Sequence, residues 1–252
     1  MRAAAAVVAL CLMAAPAWAQ TTTPTDSDPT RPIFFSVRPE FYRVTDSVWR
    51  TLFIARYDKA MVRKRRWFSG KRGLLLRFEA PFAIAGTPPG NTTAGLGDLY
   101  GQVLLVPYVQ GRFAFVAGSG LSIPTATSKS LGSGKWTLAP VIAPVWFMRG
   151  SGMAYVKLQE FVSVGGAADR PDVHFLLITP TVIRRVGGAS WILVDTETRT
   201  DWMRDGTSGV KSGIQLGHII PGRVGLWVKP EIWWSRNQGG VWNFKTGLVW
   251  YR

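Results

Sequence analysis

Charged side chains recur along this sequence at a spacing that could build a binding surface. Three basic residues are each followed two positions later by an acidic one: Arg38 and Glu40, Arg77 and Glu79, Lys229 and Glu231. Residues two apart on a β-strand lie on the same face, so each pair would stay on one side of a sheet. Such a face suits a lumen that is closed by ion pairs, or a path for a solute, and the spacing leaves both open.

Catalytic chemistry has less support. A lipid hydrolase of the barrel type needs a serine activated by a histidine, and in the barrel phospholipases and lipid A deacylases these two residues lie two apart on one strand. The two histidines, His174 and His218, have no serine two positions later. We therefore expect no enzyme and no catalytic residue, with a lipid-modifying hydrolase as the less favoured alternative. The sequence has no His, Cys and carboxylate cluster, and we expect neither a metal nor a cofactor.

The first nineteen residues have the pattern of a secretory signal peptide. Arg2 precedes an apolar run at residues 3–15, and Ala17-Trp18-Ala19 forms a small-x-small cleavage site. A membrane anchor is the alternative, but the run is shorter than the ~20 residues that a spanning helix needs. Residues 20–31 are predicted to be a disordered N-terminal segment. Cys11 is the only cysteine, so the processed chain would hold no disulfide.

Composition favours a membrane barrel over other classes. The chain has 27 Gly, 12 Trp, and 30 Lys and Arg against 15 Asp and Glu, and no segment of 18 apolar residues follows the signal. Transmembrane barrels have aromatic girdles, whereas a soluble β-sandwich, the alternative, would use so many Trp less readily. The formal charge of +15 suits contact with anionic lipid headgroups or an anionic solute. An exported protein rarely meets nucleic acid, and we expect no such partner.

Twelve strand-like segments follow one another from residue 32 to residue 252. They are residues 33–43, 49–59, 72–85, 98–109, 112–123, 136–147, 153–164, 173–184, 190–198, 210–219, 223–235 and 241–251. Short and long connections alternate, as they do between the two ends of an outer-membrane barrel. The connections at residues 46–48 and 61–71 break this rule. The sequence predicts an all-β, transmembrane, antiparallel up-and-down barrel of about 12 strands.

Alternation of apolar and polar residues predicts which face meets lipid. In the last segment Trp242, Phe244 and Trp250 share one face, while Asn243 and Lys245 lie on the other. Ten residues at ~3.3 Å each, tilted by ~40°, rise about 25 Å, the height of the apolar band of such barrels. The aromatic side chains that we expect at the membrane interfaces are Trp136, Trp146, Trp234, Trp242 and Trp250.

The opposite face predicts a charged lumen. Charges that face lipid at mid-depth would cost ~2–4 kcal/mol each, so the charged positions of the strands should point inward. Residues 99–147 carry almost no inward charge, which predicts one apolar wall and one charged wall. Such a lumen would suit an aromatic or amphipathic solute, and the basic excess favours an anion. The candidate solute contacts are Arg38, Arg56, Arg77, Glu79, Lys157, Asp195, Glu197, Lys229, Glu231 and Lys245.

Two short glycine-rich motifs carry a family resemblance. Gly95-Leu96-Gly97-Asp98-Leu99 and Gly132-Ser133-Gly134-Lys135-Trp136 each enter a strand, and Leu121 to Thr125 begins a loop between them. Residues 80–252 thereby resemble the bacterial outer-membrane family named after the MetA pathway of phenol degradation, a family of transporters. The resemblance implies a barrel that passes hydrophobic or aromatic compounds, and it implies no binding residues.

The leading functional prediction is an outer-membrane channel or uptake protein for a small aromatic or amphipathic solute. A barrel that transports nothing, with a structural or adhesive role, is the alternative. We also expect contacts with outer-membrane lipids and with the barrel-assembly machinery. The basic residues 63–66, 71 and 72 could bind lipid phosphates or form a solvated turn, and the second is favoured.

Overall fold

The computed structural model describes residues 34–43, 48–61, 73–87, 91–149, 152–187, 189–220, 224–235 and 240–251. Thirteen antiparallel strands occupy almost all of them. Their bounds are β1 Phe35–Arg43, β2 Trp49–Met61, β3 Leu74–Thr87, β4 Asn91–Leu96, β5 Leu99–Gln110, β6 Phe113–Ile123, β7 Lys135–Met148, β8 Gly152–Gly166, β9 His174–Val186, β10 Ser190–Asp201, β11 Thr207–Ile220, β12 Val224–Trp233 and β13 Trp242–Trp250. The predicted signal peptide and N-terminal segment lie outside the described residues.

The strands close into a barrel. β1 pairs with β13 on one side and with β2 on the other, β2 pairs with β3, and from β5 to β13 each strand pairs with the next in sequence. β4 and β5 pair with different halves of β3 and so share one position in the barrel wall. The thirteen strands therefore form a wall that is twelve strands around. The prediction of an all-β antiparallel barrel of about twelve strands is confirmed, including its first two strands.

The predicted loop at residues 86–97 is wrong in part, because β4 occupies most of it. Its Thr- and Gly-rich composition gives a turn signal, yet its backbone extends the sheet beside β3. The break between β4 and β5 falls at Gly97 and Asp98, where the Gly97 amide still donates to the carbonyl of Pro81 at 2.8 Å. The connection predicted at residues 199–209 is also shorter than expected, since β10 and β11 extend to Asp201 and Thr207 around the 3-10 turn Trp202–Arg204.

The barrel has two unlike ends. The turn end holds Phe34, Tyr251 and the short connections β5–β6, β7–β8, β9–β10 and β11–β12, and the loop end holds the connections β6–β7, β8–β9 and β10–β11. In outer-membrane barrels the short turns face the periplasm. The link between β2 and β3 lies at the turn end, and its basic residues 63–66, 71 and 72 lie outside the described residues.

The outer face is apolar. In β7 buried and exposed residues alternate, with Trp136, Leu138, Ile142 and Trp146 exposed. The same pattern on the other strands exposes a large set of apolar side chains, including the five predicted interface residues Trp136, Trp146, Trp234, Trp242 and Trp250. An exposed apolar band of this extent is stable in lipid and would aggregate in water.

Within the described residues, no helix has the length and apolar character needed to cross a membrane.

Candidate functional site

Charged side chains occupy the middle of the barrel interior, and we call this set the lumen charge network. The alternation that turns apolar residues toward lipid places these residues on the inner face of β1–β3, β8 and β10–β13. Among the described residues it consists of seven cations and six carboxylates: Arg38, Arg56, Arg77, Lys157, Lys211, Lys229 and Lys245, with Glu40, Asp58, Glu79, Asp195, Glu197 and Glu231.

Glu231 is the centre of the network on β10–β13. Its carboxylate lies 2.8 Å from Lys229 Nζ, 3.1 Å from Lys245 Nζ and 3.6 Å from Lys211 Nζ. Asn243 Nδ2 also donates to it at 3.1 Å, and these two residues are register partners on β12 and β13. The side chain of Glu231 is only 2% exposed. A carboxylate so deeply buried stays charged because several charged donors satisfy it.

On β2 and β3 the ion pairs meet at Asp58. Arg56 Nη2 lies 2.6 Å from Asp58 Oδ2, and Arg77 Nε lies 3.1 Å from Asp58 Oδ1. The spacing in the sequence suggested Arg77 and Glu79 as a pair, but Arg77 turns to Asp58, its register partner. Glu79 instead faces Arg38 at 3.9 Å. For Arg77, the carboxylate of the cross-strand neighbour is therefore the partner, and that of the residue two positions along is not.

Lys157 is the one member of the network without an ion pair. Every carboxylate in the set has a cation within 4.0 Å, and each of the other six cations has a carboxylate at that distance. No described carboxylate lies that close to Lys157 Nζ; Asp195 and Glu197 attract it from farther away. The basic excess of the whole chain is thus reduced in the middle of the lumen to a single cation.

A cavity of about 440 Å³ runs through the network. Nine of the ten predicted solute contacts line it, and Glu231 lies buried beside it, beneath Lys229 and Lys245. Among the lining residues that were not predicted, Thr179 and Trp227 each have a buried polar atom, Oγ1 and Nε1, with no hydrogen-bond partner in the described part of the chain. Neither shows a distinctive pattern in sequence, because an inward Thr or Trp is also an ordinary packing residue.

Apolar clusters fill the lumen at the turn end. The first comprises Leu75, Leu104, Val106, Ala114, Val116, Val141, Ala143 and Val145, and the second comprises Ile183, Trp191, Leu193, Trp227, Val249 and Tyr251. Met153 and Tyr155 pack against both. None of the fourteen is more than 7% exposed, so side chains rather than water fill this level. The first cluster is the predicted apolar wall; the second lies below the charged wall, where no apolar layer was predicted.

Glycines on neighbouring strands make room for the two buried tryptophans. Trp227 is the register partner of Gly247, and Trp191 is the register partner of Gly217. A Cβ on Gly247 would lie 2.5 Å from Cε2 of Trp227, and one on Gly217 would overlap the ring of Trp191. Each ring therefore lies flat across an inward glycine. The strand register, which places each tryptophan beside its glycine, would have indicated this arrangement, whereas the residue types alone do not.

The β6–β7 connection, residues 124–134, folds into the mouth at the loop end, and we call it the plug loop. Leu131 is 1% exposed, and its carbonyl accepts a hydrogen bond from Arg50 Nη2 at 3.1 Å. Both residues line a second cavity of about 330 Å³. The plug loop therefore narrows the lumen from the side opposite the turn-end clusters.

The two glycine-rich motifs meet at the base of the plug loop. Asp98 Oδ2 accepts hydrogen bonds from the Ser133 amide at 2.6 Å and from Ser133 Oγ at 2.8 Å, and Asp98 Oδ1 accepts one from the Ala126 amide. A Cβ on Gly132 would overlap the Asp98 carboxylate. The motifs thus hold a loop in place.

The β8–β9 connection fastens the plug loop from outside. Arg170 donates to the carbonyls of Ser133, Lys129 and Gly132 at 3.1, 2.7 and 2.6 Å. Lys129 pairs with Asp169, and Lys135 Nζ lies 2.9 Å from Asp172. These lysines hold the pKa of Asp169 and of Asp172 below the ordinary value of 3.8, through a hydrogen bond and through charge attraction. Both carboxylates therefore stay charged, and keep the fastening, at neutral pH.

The histidines lie on the outer surface, away from the cavity. His174 Nε2 is 2.9 Å from Glu160 Oε1, which also accepts a hydrogen bond from Trp202 Nε1. His218 Nδ1 is 2.8 Å from Ser190 Oγ on the neighbouring strand. In the described part of the chain no carboxylate contacts His218, so this pair lacks the third group that orients a catalytic base. No described group of His, Cys, Asp and Glu is arranged to hold a metal ion.

Comparison with solved structures assigns the fold to a class of membrane proteins. The chain is similar to the COG4313 outer membrane channel from Pseudomonas putida F1, with 13% identity and a TM-score of 0.72 over 91% of this chain and 100% of that one. It is also similar to the KdgM porin, with 9% identity and a TM-score of 0.54 over 86% and 98% of the two chains. At these identities the likeness shows the fold: this is an outer-membrane β-barrel.

No family model matches the chain, and no curated protein sequence matches it. The more specific resemblance to the MetA-pathway family is therefore not confirmed.

Proposed function

We propose that this protein is an outer-membrane channel that takes up a small amphipathic solute, with a preference for anions. The observation that carries the proposal is the 440 Å³ cavity inside the barrel, which has ionic groups on one side and apolar side chains on the other. A barrel wall satisfies every backbone group in lipid, and the side chains within it sort solutes by size and charge. The two similar structures are named as a channel and a porin, which supports the proposal by analogy of fold.

The balance of charge inside the lumen supports selectivity for anions at one residue, Lys157. With six cations of the network paired, Lys157 is the group that can attract a mobile anion without first giving up a carboxylate. Lipid contact belongs to the apolar outer face and its interface tryptophans. Anionic headgroups and the barrel-assembly machinery complete the set of partners that we propose.

Conductance of the full-length processed protein, refolded and placed in planar bilayers, tests the proposal. In a salt gradient we expect small, discrete current steps and a reversal potential that indicates anion preference. Lys157→Gln should reduce this preference. Lys59 lies on the exposed face of β2, so Lys59→Gln removes one positive charge outside the lumen and is the matched control for Lys157→Gln. Absence of any current, together with no solute entry into protein-containing liposomes, would favour a structural barrel instead.

A hydrolase is the second candidate, and only the contact between Ser190 and His218 favours it. If that pair were catalytic, lipid release from outer-membrane vesicles would stop in His218→Ala. Equal lipid release from the variant and the unaltered protein would remove this candidate.

A further inference from the structure

On the inner face of β8, the surroundings change from apolar to polar at Lys157. Lys157 lies between Tyr155 and Gln159, the neighbouring inward residues on its own strand. Across β7, the register partners of Tyr155 and Gln159 are Val145 and Val141, which are 0% and 5% exposed. An apolar wall therefore stands directly on one side of the Lys157 ammonium group.

The other side of Lys157 is polar. Its register partner on β9 is Thr179, whose Oγ1 is buried and makes no hydrogen bond to any described residue. A lysine without an ion pair and a threonine without a hydrogen bond thus lie side by side on the inner wall. A buried polar group that lacks a partner costs about 1–3 kcal/mol, so a ligand that supplies a partner to both groups would bind favourably here.

A third residue with an unsatisfied polar atom, Trp227 of β12, lines the same cavity. Its Nε1 is buried over Gly247 and has no acceptor among the described residues. An indole N–H can only donate, and an ammonium group can only donate. The ligand that satisfies these groups must therefore supply acceptor oxygens.

We infer that Lys157, Thr179 and Trp227 form a binding site for a small monocarboxylate with an aromatic or other apolar body. This inference rests on the proposed channel function and names its substrate class. One negative charge would neutralise the single unpaired cation, whereas a dianion would have to break existing ion pairs. The apolar body would lie against Leu104, Val116, Val141 and Ala143, which line the same cavity. A volume of about 440 Å³ lies in the range of small-molecule sites, about 300–1,000 Å³.

Binding of benzoate to the refolded full-length protein in detergent tests the site. Equilibrium dialysis with labelled benzoate would be compared for the unaltered protein, Lys157→Gln, Thr179→Val and the control Lys59→Gln, with empty micelles subtracted. We expect Lys157→Gln to weaken binding at least tenfold and Thr179→Val to weaken it severalfold, while Lys59→Gln binds as the unaltered protein does. Unlabelled benzyl alcohol and acetate should compete poorly, since each lacks one half of the ligand.

The result that overturns the inference is equal benzoate binding by the unaltered protein and Lys157→Gln. Competition by acetate as strong as that by benzoate would also overturn it, since an apolar body would then contribute nothing. Each variant is first checked for folding by its resistance to SDS at room temperature. Because dialysis needs no ion flow, a protein that conducts but does not bind benzoate contradicts the site alone, and one that binds but never conducts contradicts the channel alone.

Discussion

Lys157 carries a charge into the barrel with no described carboxylate within 4.0 Å of its Nζ, and this has a consequence for stability. A charge that is partly desolvated and unpaired opposes folding, while an apolar side chain of similar length would pack against Val141 and Val145. We predict that Lys157→Met raises the free energy of unfolding by about 1 kcal/mol and abolishes benzoate binding. Urea titration of the protein in lipid vesicles, followed by tryptophan fluorescence, measures the first effect.

Lys229 is the matched control for that prediction. Its Nζ lies 2.5 Å from Asp195 and 2.8 Å from Glu231, so Lys229→Met leaves two carboxylates with fewer donors. The same titration should show a loss of stability of at least about 1 kcal/mol, because breaking a buried pair strands its partners. If both variants lose stability alike, Lys157 is a structural cation and not the free one.

At the level of single residues, the sequence could predict which way the charged side chains face and only part of their pairing. Arg38 with Glu40 and Lys229 with Glu231 form the ion pairs that the spacing suggested, at 2.5 and 2.8 Å, whereas Arg77 pairs with Asp58. Lipid penalises charge so strongly that the inward direction of Arg77, Asp195 and Lys229 followed from alternation alone. The choice of Asp58 over Glu79 by Arg77 depends on the register of β2 against β3. The isolation of Lys157 was unpredictable for the same reason, since it requires knowing the position of every carboxylate.

Inward glycines define the packing between the last strands. Because Trp227 lies across Gly247, we predict that Gly247→Ala forces the ring out of place and lowers the free energy of unfolding by about 1–3 kcal/mol. Gly165→Ala on β8 is the control, as its new Cβ would have no atom within 4 Å. Urea titration of both variants checks this. Equal stability of Gly247→Ala and Gly165→Ala would show that the indole can move aside without cost.

Strands were more predictable than connections. Their ten-residue length, period of two and flanking turn residues gave all twelve predicted segments, which match β1–β3 and β5–β13. The membrane fixes both the length and the outer face of each of these strands. β4 was missed, since a segment rich in Thr and Gly can extend a sheet when a neighbour supplies its hydrogen bonds. The inward fold of the plug loop was also missed, because it depends on contacts from Asp98 and Arg170 that lie far away in sequence.

On the scale of the whole molecule, the sequence predicts the closed barrel wall but not how side chains pack inside the lumen. Closure follows from the need to leave no unpaired strand edge in lipid, and a periodic sequence reveals it. The contents of the lumen are set by packing between opposite walls, where the sequence has no period to follow. The apolar layer at the turn end is of this kind: strands with a charged upper half contribute Trp191, Leu193 and Trp227 to its lower half.

That layer should limit the current through a channel of this design. Ions cannot hydrate among side chains as buried as those of Trp191 and Trp227, so passage requires these residues to move. We predict that the double variant Trp191→Ala/Trp227→Ala raises single-channel conductance severalfold, because the two missing rings leave a water-filled gap beneath the charge network. Trp146→Ala, which removes a ring from the lipid-facing surface, should leave the conductance as it is. If the double variant folds and conducts no better than the unaltered protein, the turn-end clusters do not limit the path, and the plug loop at the opposite mouth becomes the narrow point.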